Sequence, residues 1–210
     1  MPSVTRATPH GRSNRREAME RRLLEAVEAL LGAGVSFTEL SVERLASTAG
    51  ISRSTFYVHF QDKGQLVLRL VRTVLAELSE VSSRWWSVSD RAVRSDLLEA
   101  LTAIVSGYRR HAAIFTAAVE TATYDTEVAD ELRTQMQTVA DATRSAIERG
   151  QAAGVMRAVD PAVTAAVLTG MVERAGYQLV RGSDPAGDHA IVLVLTDIIW
   201  TTLYGAEPTV

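Results

Sequence analysis

The residues best equipped for chemistry lie in one run, AGISRSTFYVHFQDK, positions 49 to 63. It holds Gly50, the hydroxyls of Ser52, Ser54 and Thr55, Arg53, Tyr57, His59 and two Phe, and it ends on Lys63, the only lysine among 210 residues. Hydroxyls, a phenol, an imidazole and a planar cation are suited to phosphate oxygens and base edges. Nothing in the chain arranges such groups for catalysis. His10, His59, His111 and His189 stand singly, with no HxxxH, HExxH, GxSxG or Gly-rich phosphate loop, and there is no cysteine. Asp125, Glu127, Asp130 and Glu131 form an acidic group that could attract a cation. At a predicted helix start they read more simply as solvated charges favoured by the helix dipole. The chain therefore reads as a binding protein and not an enzyme, with no cofactor and no metal; a helical enzyme is the rival class.

The elements that must position these residues are helical. A composition of 47% hydrophobic and 22% charged residues is an ordinary globular balance. Met19, Leu23, Val27, Leu30 and Leu31 recur at helical spacing before Gly32 and Gly34, and the stretches 62–84, 91–110, 125–153, 161–181 and 187–204 repeat the pattern. No convincing alternating strand is present, so the expected class is all-α, with about nine helices. The longest unbroken apolar run, Ala190 to Leu195, falls short of the roughly 20 residues that cross a bilayer. The start of the chain lacks the apolar core of a signal peptide. With no cysteine to oxidise, a cytoplasmic protein without a membrane partner is expected. Six arginines face two glutamates in the first 24 residues. The expected organisation is a basic, disordered arm over 1–14, a unit of short helices over 15–61 and a body of long helices over 62–210.

Two short helices precede the long one at 62. Ser41 can cap the first, Val42 to Thr48, with Glu43 near the positive end of its dipole. Gly50 can take a left-handed turn, and Ser52 can then cap the second, Arg53 to Phe60. Leu45, Ala46, Ala49, Ile51, Phe56 and Phe60 fall where two such helices would touch, which makes a helix-turn-helix. Arg53, Ser54, Thr55, Tyr57 and His59 are left outside, on an element that fits a major groove about 12 Å wide. Tyr57 and His59, late on the helix, are expected at phosphates. Asp62 caps the next helix with Gln65 as capping-box partner, leaving Lys63 at a helix start to meet a phosphate. The bland alternative is a helical hairpin whose surface is merely polar.

The run SVERLAST followed by AGISRSTFYVHFQDK closely resembles the TetR family of bacterial transcriptional regulators, over residues 15 to about 75. Gln61 and Asp62 stand where Pro and Ser are frequent in that family, and Gly64 replaces the common Glu. The resemblance implies a homodimer with two three-helix DNA-binding heads and a separate ligand-binding body. It implies a repressor that binds a palindromic operator and is released by a small hydrophobic effector. A helical DNA-binding or interaction protein without a ligand is the alternative.

The body has two stripes with identical spacing: Leu97, Leu101, Ile104 and Tyr108, then Leu132, Met136, Val139 and Thr143. Each could be plain core or a cavity wall. Trp85, Trp86, Phe115, Tyr124, Met171, Tyr177 and Trp200 favour a cavity by supplying aromatic and thioether surface, and Thr143, Thr169 and Glu173 could orient a ligand. Glu173 beside Arg174 reads equally as a structural ion pair or as a polar anchor. From Ala190 to Tyr204 nearly every face is apolar with Asp197 the sole charge, so helices 161–181 and 187–204 are expected to pair with their copies in a homodimer. The segments MVERAGY and IIWTTLYG resemble the ethionamide-resistance repressor subgroup of the family. That likeness implies a narrow hydrophobic channel lined by Tyr108, Met136, Glu173, Tyr177 and Trp200, with Val172 where that subgroup has a polar amide.

Overall fold

The computed structural model describes residues 9–33, 35–180 and 184–205, with side chains from Glu17 onward. Among them lie nine α-helices: α1 Pro9–Gly32, α2 Val42–Thr48, α3 Arg53–His59, α4 Lys63–Val88, α5 Arg94–Arg110, α6 Ala112–Ala122, α7 Thr126–Ala152, α8 Pro161–Arg174 and α9 Asp188–Leu203. The helical class is that expected, and three details differ. Helix α1 begins at Pro9, so residues 9–14 continue a helix where a disordered arm was expected; Pro is tolerated at a first helical position and a formed helix extends cheaply. Residues 1–8 of that arm lie outside the described residues. Helix α6 is absent from the periodicity reading because AAIFTAAVETA has no polar face to reveal a period. It is enclosed instead, packing on α1, α4 and α7 and burying Ile114, Phe115, Ala117, Ala118 and Thr121. The stretch 161–181 is not one regular helix: α8 ends at Arg174 and widens into a six-residue π-type turn, Ala175–Val180.

Three helices make the head. Met19, Leu23, Val27 and Leu30 of α1 meet Leu45 and Ala46 of α2 and Phe56 of α3 in one buried core. The body surrounds α4, which packs on α5, α6 and α7, while α5 also packs on α9 and α7 on α8. Leu66, Leu70, Val74 and Leu78 form the buried stripe of α4, at helical spacing.

Head and body are joined by polar ties as well as by chain. The Glu120 carboxylate of α6 accepts from Ser36 Oγ at 3.1 Å and from the Phe37 backbone N–H at 3.2 Å, in the loop between α1 and α2. Buried His111, between α5 and α6, places Nδ1 2.9 Å from Glu28 of α1 and Nε2 3.4 Å from Glu77 of α4. Arg69 of α4 pairs with Glu20 of α1 at 3.0 Å.

Within the body, Arg72 of α4 holds Glu131 of α7 through two hydrogen bonds, 2.8 and 2.6 Å, and Gln135 adds a third at 2.8 Å. The Arg72 bonds hold the Glu131 carboxyl down at about 2, with Gln135 helping. A depressed carboxyl stabilises the fold above its unfolded value near 4.5 and loses that contribution as pH falls through about 2. The melting-temperature gap between wild type and Glu131→Gln is therefore expected to shrink steadily between those pH values. An unchanged gap across that range in thermal melts would remove the assignment.

Candidate DNA-binding face and ligand cavity

Both short helices of the head are capped as their sequence demands. Ser41 Oγ accepts from the Arg44 N–H at 3.1 Å and Ser52 Oγ from the Thr55 N–H at 3.0 Å. Between them Gly50 has φ 63°, a left-handed value that strains any residue with a Cβ. Arg22, counted in the sequence as part of a basic segment, is spent locking this turn: its guanidinium donates to the carbonyls of Ala49 and Gly50.

Helix α3 buries Phe56 and leaves Arg53, Ser54, Thr55, Tyr57 and His59 exposed on its outer surface. The Arg53 guanidinium lies 5.7 Å from the Tyr57 ring centroid, and Ser52 Oγ is 2.8 Å from both Ser54 Oγ and Thr55 Oγ1. Ser41 and Ser52 thus act first as caps. Val58 was missed: it is 77% exposed on the same short helix, an apolar surface able to meet a thymine methyl. An alternation rule had no reason to single out a valine within a helix.

Lys63 has partners within the chain. It was expected at a phosphate, yet its Nζ donates to the carbonyls of Phe37 at 3.0 Å and Thr38 at 2.9 Å and sits 5.3 Å from the Phe37 ring centroid. Burial pushes its ammonium below the ordinary lysine value. The loop between α1 and α2 leaves carbonyls needing donors, and the sole lysine supplies them, clamping that loop to the start of α4.

The body holds an apolar cavity of about 100 Å³ that is partly open to solvent. Its walls come from α5 (Leu97, Leu101, Ile104, Tyr108), α7 (Met136, Val139, Thr143) and α8 (Thr169, Val172, Glu173), ten of the thirteen candidate pocket residues. Three candidates do not line it. Leu132 lies one turn before Met136 and packs partly buried against the core. Trp200 stacks on Tyr204 with centroids 4.1 Å apart, while its neighbour Ile199 faces the cavity. Tyr177 lies four residues beyond Glu173 but in the widened turn, whose altered period rotates it off that face. Gly176 takes the adjoining place against the Tyr108 ring, so close that an added Cβ would meet ring carbons at 2.6 Å. The α4 wall, Leu75, Leu78, Ser79, Ser82, Trp85 and Trp86, was seen in the sequence only through its tryptophans. Phe115 stacks on Tyr108 at 4.5 Å instead of lining the cavity, and Tyr124 is 60% exposed.

Tyr108 is buried, and desolvation, reinforced by the negative charge of Glu173, pushes its phenol well above the ordinary tyrosine value. Tyr204 is likewise pushed up to about 12 by burial, and its hydroxyl donates to the Ser89 carbonyl at 3.0 Å. Ser82 and Thr143 donate their hydroxyls to the Leu78 and Val139 carbonyls, both at 2.9 Å. Among the described residues Glu173 forms no ion pair with Arg174, and Thr169 Oγ1 is buried with no hydrogen-bond partner. The acidic group at the start of α7 is divided: Asp125 caps the helix, Glu131 holds Arg72 and Asp130 holds Arg133. Among the described residues no three His, Asp or Glu side chains are grouped to hold a metal ion.

The opposite face of α8 and α9 is apolar and uncovered: Val163 and Val167 on α8, Val194 and Ile198 on α9 are each 42 to 63% exposed. By length and composition alone, Pro185–Leu203 is apolar enough to cross a membrane, with 28% of it buried.

A capped helix-turn-helix on a helical body with an internal apolar cavity defines a DNA-binding regulator with an effector domain. The chain belongs to the TetR family of transcriptional regulators. "Bacterial regulatory proteins, tetR family" matches residues 23–70, and "Transcriptional regulator EthR, C-terminal domain" matches residues 97–205. The HTH-type transcriptional regulator EthR of Mycolicibacterium smegmatis is 30% identical, over 96% of this chain and 94% of that protein. The fold is shared with the TetR-family regulator PfmR of Thermus thermophilus (TM-score 0.67, 20% identity, 97% of this chain and 100% of that one). It is shared as well with NalD, the secondary repressor of the MexAB-OprM multidrug efflux pump in Pseudomonas aeruginosa (TM-score 0.68, 18% identity, 92% and 100%).

Replacing Lys63 by Met should lower thermal stability by about 1–3 kcal/mol, the usual worth of hydrogen bonds to a charged group. The slope of operator affinity against salt should stay nearly unchanged. A slope reduced by about one counterion in a salt titration would restore the phosphate assignment.

Proposed function

We propose that the chain is a repressor that binds a palindromic operator as a homodimer and lets go when a small hydrophobic effector fills the body cavity. The observation that carries this reading is that α4 is at once a cavity wall and the helix clamped to the head by Lys63. An occupant that pushes Leu75, Leu78 or Trp85 tilts α4, and with it the spacing between two heads. Helix α6 offers a second route, since Phe115 stacks on cavity-lining Tyr108 while Glu120 and His111 reach the head. Affinity for DNA falls by the effector's preference for the released state and by no more.

The uncovered apolar face of α8 and α9 supports a four-helix dimer interface, since exposed patches of this kind mark contact sites. It also accounts for α9 without a membrane. Two recognition helices can then match half-sites about 34 Å apart or a multiple of it. On this reading Arg53, near the start of α3, reads a base edge, and Tyr57 and His59 grip phosphates.

Titration against the DNA upstream of the chain's own gene, with unrelated duplex as competitor, tests the operator. Arg53→Ala should cost about 1–3 kcal/mol there while leaving competitor binding nearly unchanged. Equal loss on both duplexes would make Arg53 a backbone contact. Val194→Glu on α9 should convert a dimer to a monomer in sedimentation, with loss of operator binding. A dimer that persists places the interface elsewhere, and operator affinity indifferent to every cavity occupant would remove the effector mechanism.

A further inference from the structure

The cavity is apolar, but its electrostatics are one-sided. Of its nineteen lining residues Glu173 alone carries a formal charge. It is exposed to solvent, with no ion pair among the described residues. One helical turn earlier on the same face of α8 lies Thr169, whose buried hydroxyl has no partner. Two other lining hydroxyls, those of Ser82 and Thr143, already donate to their own helices. Three aromatic side chains, Tyr108 on α5 and Trp85 and Trp86 on α4, belong to the same wall. The charge of Glu173 is felt inside the cavity, since it helps to push the Tyr108 phenol upward.

A lone carboxylate on an otherwise uncharged wall makes a field that favours positive charge by direct attraction. An anionic occupant meets no lining cation and is repelled. A neutral one leaves Glu173 to solvent and gains nothing from its charge. We propose that the effector is an amphiphilic organic cation: an ammonium or amidinium group held between the Glu173 carboxylate and the Thr169 hydroxyl, on an apolar body that lies along α4 and α5. This rests on the reading of the cavity as the effector site. The size agrees with a compact ligand. At about 10–15 Å³ of accessible space per water, about seven to ten waters or a similar number of heavy atoms fill it.

The test uses three probes with one eight-carbon tail and different heads: octylamine, octanol and octanoate. Binding to the full chain is followed by tryptophan fluorescence, since two of the three tryptophans line the cavity. Because Glu173 keeps contact with solvent, the expected preference for octylamine over octanol is about two- to fivefold, with octanoate weakest. Glu173→Gln should abolish the amine advantage and leave octanol unchanged. Thr169→Val should weaken octylamine by a smaller factor. The exposed position of Glu173 makes loss of folding an unexpected outcome, and a thermal melt of each variant checks it. Equal or tighter binding of octanol or octanoate to wild type would overturn the proposal while leaving the cavity an effector site. An amine advantage that persists in Glu173→Gln would overturn it too. Binding of none of the three would overturn both the proposal and the reading of the cavity.

Discussion

Everything else in this protein depends on the continuity of α4. Its 26 residues form one rod of about 39 Å at 1.5 Å per residue. Asp62 caps its start by accepting from the Gln65 N–H at 2.9 Å, and its buried stripe runs unbroken from Leu66 to Trp85. A rod buried on one side along its whole length cannot bend to absorb a local push, because displaced side chains would leave voids in a close-packed core. It must move as a unit. The helix that carries the head is therefore coupled to the cavity by packing alone, before any particular ligand is considered.

Polar ties decide how firmly the head follows. The loop between α1 and α2 would leave carbonyls and N–H groups unpaired in a partly buried seam, a cost comparable to a lost hydrogen bond for each. Lys63 satisfies the carbonyls of Phe37 and Thr38, and Glu120 satisfies the Phe37 N–H. The same groups that complete the loop's hydrogen bonding fasten the head to α4 on one side and to α6 on the other. Buried His111, set between Glu28 and Glu77, adds a third fastening near the level of the cavity's Tyr108 end. The recognition surface carries no such tie among the described residues: the ring contacts of Arg53, Tyr57 and His59 are with neighbours on their own helix or at its end.

The body divides its apolar surface between two uses. Residues of α8 facing inward, Leu168 and Val172, close the cavity, while Val163 and Val167 face outward with those of α9. A helix apolar on both sides needs burial on both, and a single chain provides only one. Glu173 interrupts this pattern at the cavity's end, where a carboxylate keeps its contact with solvent and still faces the interior.

The head was legible in sequence because its determinants are local. Caps at Ser41 and Ser52, the left-handed Gly50 and the inward set Leu45, Ala46, Phe56 and Phe60 follow from spacing within twenty residues, and the outward face of α3 follows by exclusion. The all-helical class and most helix boundaries were legible for the same reason, through the period of buried side chains. What tertiary structure decided were the places where distant groups compete for one partner. Lys63 chose the carbonyls of a loop 25 residues away over solvent, and Arg22 chose the turn at Ala49 and Gly50. Helix α6 had no period to read, because a helix enclosed on several sides needs none. The widened turn after Arg174 moved Tyr177 off the cavity, and stacking on Tyr204 moved Trp200, both through packing that no spacing rule contains. Local sequence thus determined which helices form and which face of α3 is polar. The three-dimensional competition for hydrogen bonds and volume decided which of the candidate side chains the cavity and the head could use.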